Sequence, residues 1–208
     1  MKRTIIILLI SFAWIGQVHA QDVDSLLLSL DEVEEIGPED LLPEKMMMTQ
    51  RLFWGEKGFL RKTGIMPLNE ANRIKEMKIR RTMLVTHQVL GYATLAGMIA
   101  QGIVGSRLYN GESQLKDIHE GLASAVNVGY FTGAALSLFS PPPLISREIK
   151  GLNSIKAHKI LASIHFTAMV ATNILADKAS DPKYAPIHRA AAFTAFGAFA
   201  GAMIVMTF

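Results

Sequence analysis

The residues with the most chemistry in them are histidines. Apart from His19, which falls in an expected leader, they are His87, His119, His158, His165 and His188, and the chain has no cysteine. The missing thiols exclude a disulfide framework, cysteine-ligated zinc, iron–sulfur clusters, thioether-linked haem and a thiol nucleophile. A cofactor would have to be held by histidine, carboxylate or packing. His87, His119, His158 and His188 each stand near the start of one of four long apolar runs. If those runs are consecutive antiparallel helices, His87 and His158 share one end and His119 and His188 the other. Two facing imidazoles on different helices are what bis-histidine ligation of a haem iron requires, each giving one ring nitrogen while a hydrogen bond orients the other. Two such pairs would hold two non-covalent haem b groups, one near each membrane face, with electrons passing between them.

Other residues could assist or compete. His165 lies seven residues after His158, on nearly the same helix face. It could replace His158 as ligand, donate to a propionate, or be a satisfied core histidine. Glu120 beside His119 suits a headgroup-level or supporting group better than a ligand. Lys159, Arg189, Arg81 and Lys156 sit where propionates would emerge, although bases at helix ends commonly meet lipid headgroups. Gly91, Ala123, Ala162 and Ala192 would leave room for a flat macrocycle, and Gln101, Asn127 and Asn173 suit interhelical hydrogen bonds. A single histidine at a helix start commonly just snorkels to water. The recurrence at four equivalent positions is what points to haem.

The elements that must position these residues are set by composition. Of 208 residues 50% are hydrophobic and 19% charged, with a mean hydropathy of +0.27, too apolar for an ordinary soluble domain. Charges are absent from 82–106, 121–146, 160–176 and 190–208, each about long enough for a helix to cross the ~30 Å hydrocarbon core. The expected fold is therefore an all-α membrane protein, an up-down four-helix transmembrane bundle over residues 82–208. Ser140-Pro141-Pro142-Pro143 stops the second helix, and Pro182 and Pro186 separate the third from the fourth. Thr86-His87-Gln88-Val89-Leu90 recurs as Ala157-His158-Lys159-Ile160-Leu161, and Ile118-His119-Glu120 as Ile187-His188-Arg189, at offsets of 71 and 69 residues. Those offsets suggest a duplicated two-helix unit. Gly129-x-x-x-Gly133 and Gly197-x-x-x-Gly201 suit close packing within the bundle, a homodimer being the other use of such motifs.

Residues 1–20 have the three-part layout of a signal peptide, with cleavage expected after Ala20. Losing Lys2 and Arg3 leaves 19 bases against 18 acids, so net charge implies no nucleic-acid partner. The expected arm at 21–81 has two parts. Nine acids and no base fall in 22–44, and ten bases against three acids in 45–81. The acidic part reads as solvated. The basic part, with Met46-Met47-Met48, Leu52-Phe53-Trp54 and Phe59-Leu60, suits either a segment lying at the headgroups or a small cap on the bundle. A helix is predicted from Pro67 with Asn69 as N-cap, and Arg73, Lys75, Lys78, Arg80 and Arg81 carry it to the membrane surface. A signal peptide places the arm outside the cytoplasm, the bacterial inner membrane being the expected location, whereas the positive-inside rule prefers the opposite orientation.

One histidine near the start of each of four consecutive spans, with the motifs His87-Gln-Val-Leu-Gly91 and His158-Lys-Ile-Leu-Ala162, resembles the cytochrome b561 family, including the four-helix core found beside DOMON-type domains. The likeness covers about residues 80–208. It implies that His87 and His158 bind one haem b and His119 and His188 another, and that electrons cross the membrane. The histidine spacings of 32, 39 and 30 depart from the usual family set, and the arm has no counterpart, which leaves the redox donor and acceptor open. The leading expectation is a di-haem transmembrane electron carrier, an oxidoreductase if its terminal acceptor is reduced at its own surface. The alternative is a non-haem membrane scaffold or assembly subunit with structural histidines. A proton-coupled transporter is disfavoured because no Asp, Lys or Arg lies near the middle of any span.

Overall fold

The computed structural model describes residues 41–144 and 153–207. The expected leader at 1–20, most of the acidic stretch and the first part of the loop at 147–159 lie outside the described residues. Among those described there is no strand. Two short helices, α1 (Met48–Trp54) and α2 (Phe59–Lys62), precede four long ones: α3 (Glu70–Tyr109), α4 (Lys116–Leu138), α5 (Ser154–Ala176) and α6 (Ala185–Thr207). Asn69 caps α3, its Oδ1 accepting from the Asn72 N–H at 2.9 Å, and Asn153 caps α5 in the same way through Lys156 at 3.0 Å. The α4 helix ends at Leu138, just ahead of the three prolines, and Pro186 sits in the first turn of α6.

Three of these helices, α3, α5 and α6, are long and apolar enough to cross a membrane. The α4 helix has the same 23 residues as α5 and α6, yet Lys116, Asp117, Glu120 and Asn127 make it the most polar of the three. On α3, α5 and α6 large apolar side chains such as Val89, Ile103, Ile160, Ile174 and Ile204 are exposed, as contact with lipid would require.

Packing is tight within two helix pairs. Down α3 and α4, His87 lies against Gly133, Thr94 against Gly129, Gly97 against Val126 and Gly105 against His119, so the pair is antiparallel. Down α5 and α6 the partners are His158 with Ala202, Leu161 with Gly201 and Thr172 with His188. The two pairs meet through Asn127 and Asn173, Tyr130 and His165, and Phe131 and Phe166 on α4 and α5, and through Gly91 and Met203 on α3 and α6. A small core of Met98, Val126, Tyr130, Ala168, Met169 and Ala195 is backed by Phe196 and Phe199.

The internal repeat extends into this core. The buried Met98 of α3 has its equivalent 71 residues later in the buried Met169 of α5, and Thr94 corresponds in the same way to His165. Gly133 and Ala202, the carbonyl partners of His87 and His158, are 69 residues apart. Both pairs therefore use one packing plan.

Asn127 and Asn173 form a reciprocal amide pair, Nδ2 to Oδ1 at 2.7 and 3.0 Å. Asn127→Leu alone is expected to cost about 1 kcal/mol, since buried interhelical polar pairs measure about 0.6–1.7. Once Asn173→Leu is also present, the further cost should be smaller, because no amide is then left unpaired. A double-mutant cycle on unfolding in detergent measures the coupling. Equal, additive losses would show that the pair does not act as a unit.

Candidate functional site: two histidine pairs at opposite ends of the helices

All five histidines from His87 onward are half-buried, whereas their neighbours Gln88, Glu120 and Lys159 are exposed. The rings therefore turn toward other helices. His87 Nδ1 lies 2.8 Å from the Gly133 carbonyl, His158 Nδ1 3.0 Å from that of Ala202, and His188 Nδ1 3.0 Å from that of Thr172. A carbonyl can only accept, so each Nδ1 carries a proton, and in the neutral ring it is Nε2 that has the lone pair. No protein group among the described residues occupies these three Nε2 atoms.

His87 and His158 lie within electrostatic range of each other, and so do His119 and His188. The pairs stand apart along the helices. His87 belongs to the N-terminal half of α3, while His119 meets the same helix at Gln101, 14 residues on, about 21 Å at 1.5 Å per residue. The same interval separates His158 from Thr172, where His188 is anchored.

His119 departs from this plan. Its Nε2 is 3.3 Å from Gln101 Nε2, and its Nδ1 is buried without a partner, as is Gln101 Oε1. Gln101 and Thr172 are equivalent across the repeat, 71 residues apart. One half anchors its histidine on a backbone carbonyl and the other on a side-chain amide. Gly105 makes room for this ring, since a Cβ there would lie 2.8 Å from His119 Cε1. Gly105→Ala is accordingly expected to push the imidazole off Gln101 at a cost of about 1–3 kcal/mol, typical of overpacking. Thermal unfolding in detergent measures it, with Gly102→Ala, where a Cβ meets nothing within 4 Å, as the neutral comparison.

His165 has a different setting from the other four. Its Nδ1 shares a 2.6 Å hydrogen bond with the buried Tyr130 hydroxyl, and its ring packs edge-on against Tyr130 and Phe199 at centroid distances of 5.6 and 5.1 Å. It lies within electrostatic range of both His87 and His158. Of the residues considered for propionates, Arg81, Lys156 and Lys159 are exposed, and Arg189 lies over the Tyr109 ring at 4.6 Å. Glu120 is exposed and loosely paired with Lys116 at 3.8 Å. Gly91, Ala123, Ala162 and Ala192 are half-buried. No group of three or more His, Asp or Glu side chains among the described residues could hold a metal ion unaided.

A feature that sequence reasoning passes over joins these residues. Arg73, Arg80, His87, Thr94 and Gln101 recur every seven residues, drifting only ~20° per step around α3. His158, His165 and Thr172 repeat the last three positions on α5. A polar residue every seventh position in an apolar helix is the available signal.

The upper part of that stripe belongs to a cap. Residues from Thr49 to Trp54 close the C-terminal end of α4: Thr49 Oγ1 donates to the Leu138 carbonyl at 2.6 Å, Trp54 Nε1 to Phe139 at 2.8 Å and Gln50 Nε2 to Ser140 at 3.2 Å. Arg73 Nη2 donates to the Pro142 and Pro143 carbonyls at 3.2 and 3.1 Å, and Arg80 Nη1 to Pro141 at 2.6 Å. Lys75, Lys78 and Arg81 stay exposed. Of the five bases expected at the membrane surface, Arg73 and Arg80 instead bind protein, because three prolines supply carbonyls and no N–H, and guanidinium donates without accepting.

The chain matches no protein-family model, no curated protein and no solved structure.

Proposed function

We propose that the protein is a di-haem b-type electron carrier of cytochrome b561 type, in which α3 to α6 form an up-down transmembrane bundle with one bis-histidine centre toward each membrane face. The observation that carries this reading is the shared state of His87, His158 and His188, each with Nδ1–H fixed on a backbone carbonyl and Nε2 free to ligate. Such a hydrogen bond sets ring orientation and raises ligand basicity. A two-residue set is too small for a bare ion but suffices for haem, whose macrocycle supplies four nitrogens. Bound haem would supply reversible one-electron chemistry at its iron.

The chain's own residues have three tasks in this mechanism. His87 and His158 would hold one group through Nε2, and His188 Nε2 with the unpartnered Nδ1 of His119 the other, since Gln101 engages His119 Nε2. The carbonyls of Gly133, Ala202 and Thr172 hold the rings in the tautomer that can ligate. The apolar core around Met98, Met169 and Phe199 lies between the two centres and keeps water from the path. His165, committed to Tyr130, stays outside the ligand set in this reading. With α4 as a fourth span, its polar residues Asn127 and Tyr130 face α5 rather than lipid.

An absorption spectrum of protein purified from haem-replete cells tests the proposal. Sharp α bands after dithionite reduction, at two haems per chain, are expected. A colourless preparation would leave the histidines structural and favour a membrane scaffold.

A further inference from the structure

Beneath the cap, two guanidinium groups share one carboxylate and a third stands one heptad away. Arg61 Nη1 and Arg73 Nη1 each donate to a different oxygen of Glu76, which is fully buried, and Arg80 lies one heptad along from Arg73. Side-chain exposure is 5% for Arg61 and 2% for Arg73. The acceptors are used up. Arg61 Nη1 also meets the Met66 carbonyl, Arg73 Nη2 takes those of Pro142 and Pro143, and Arg80 takes that of Pro141 and the Ser140 hydroxyl. Three donors remain buried and unmet: Arg61 Nε, Arg61 Nη2 and Arg73 Nε.

We propose that this cluster is a binding site for a phosphate oxyanion, with the Nε and Nη2 edge of Arg61 as its main contact and Arg73 Nε as a second donor. Those two atoms of Arg61 form the side of the guanidinium fork that takes two oxygens of an anion at once. Buried charged donors without acceptors are costly, and the surplus of positive charge over Glu76 is met only by carbonyls and a hydroxyl. A carboxylate would be satisfied by the Arg61 edge alone. A phosphate has further oxygens for Arg73 and a charge suited to the surplus.

The phosphate has two possible sources. Arg73 precedes the charge-free run at residue 82 by nine residues, about 14 Å of helix, which is close to headgroup depth. Met48, Leu52, Phe59 and Ile65 of the cap are exposed and apolar, as contact with lipid would require. A phospholipid headgroup and a free phosphate both offer the same oxyanion.

The test uses the full chain purified without phosphate. Native mass spectrometry from detergent reads retained phospholipid, and thermal unfolding during titration with inorganic phosphate reads the free ion. Arg61→Lys keeps the charge and removes the two-donor edge. One phospholipid retained per wild-type chain and lost from Arg61→Lys supports the site with lipid as its source. No retained lipid, but saturable stabilisation by inorganic phosphate that is about tenfold weaker in Arg61→Lys, supports it with free phosphate. Wild-type protein that holds neither, or a variant that binds as well as wild type, overturns the proposal. Should Arg61→Lys fail to fold, Arg73→Lys provides the same comparison through the second donor.

Discussion

Replacing His87 with alanine is expected to lower haem content from two per chain to one, and to leave the spectrum of the His119/His188 centre in place. In the proposed arrangement His158 remains anchored on Ala202 but stands alone as a ligand. A haem at this site would then have lost half of its protein coordination, and it is expected to be lost on purification from detergent. The second centre should not respond, because Gln101 and Thr172 hold its histidines about 21 Å along the helices and share no partner with His87. His188→Ala should give the reciprocal result, and the double variant should be colourless. In proteoliposomes with dithionite outside and an enclosed ferric acceptor, either single variant should stop electron transfer across the bilayer, since each centre is a necessary step. Haem-to-protein ratios by pyridine haemochrome and the proteoliposome assay check these outcomes together. Loss of both haems from His87→Ala, or of neither, would refute the pairing.

The histidine geometry is legible in the sequence because antiparallel neighbours leave little freedom: His87 and His158, on the first and third of four long helices that alternate in direction, α3 and α5, can meet only at one level. Asn69 and the Ser140–Pro143 stop are equally legible, since capping and helix termination are local chemistry. The cap is not. Trp54 and Phe53 among bases suit a lipid surface and a protein surface alike, and what selects protein is the set of orphan carbonyls at the end of α4, close to ninety residues away in sequence. Composition assigns Arg73 and Arg80 to headgroups along with Lys75 and Lys78. Only the seven-residue interval to His87 places them on the inward face. The anchor of His119 is hidden for a different reason. The repeat predicts equivalent contacts for His119 and His188, but residue 101 is a glutamine where residue 172 is a threonine, so the side chain takes the place that a backbone carbonyl holds in the other half. Gly105 gives no signal alone, because isolated glycines are common in membrane helices.

The largest stability effect is expected at Glu76. Glu76→Gln keeps the shape of the side chain and removes the charge, leaving Arg61 and Arg73 buried with no anion from the described protein between them. Breaking a buried ion pair from one side costs about 3–5 kcal/mol, because the surviving charge is stranded rather than hydrated. Here two charges are stranded by one substitution. The least costly relief is for the guanidiniums to regain water, which requires α2 to leave α3 and Arg73 to release Pro142 and Pro143. The loss should therefore concentrate in the cap. Limited proteolysis should cut between α1 and α3 at a protease level that leaves wild type intact, while α3 to α6 stay resistant. The exposed pair Lys116–Glu120, at 67% and 64% side-chain exposure, sets the opposite limit. Glu120→Gln should shift stability by less than about 1 kcal/mol, since solvent screens a surface ion pair. A Glu76→Gln protein as protease-resistant as Glu120→Gln would mean that the buried triad contributes no more than a surface pair.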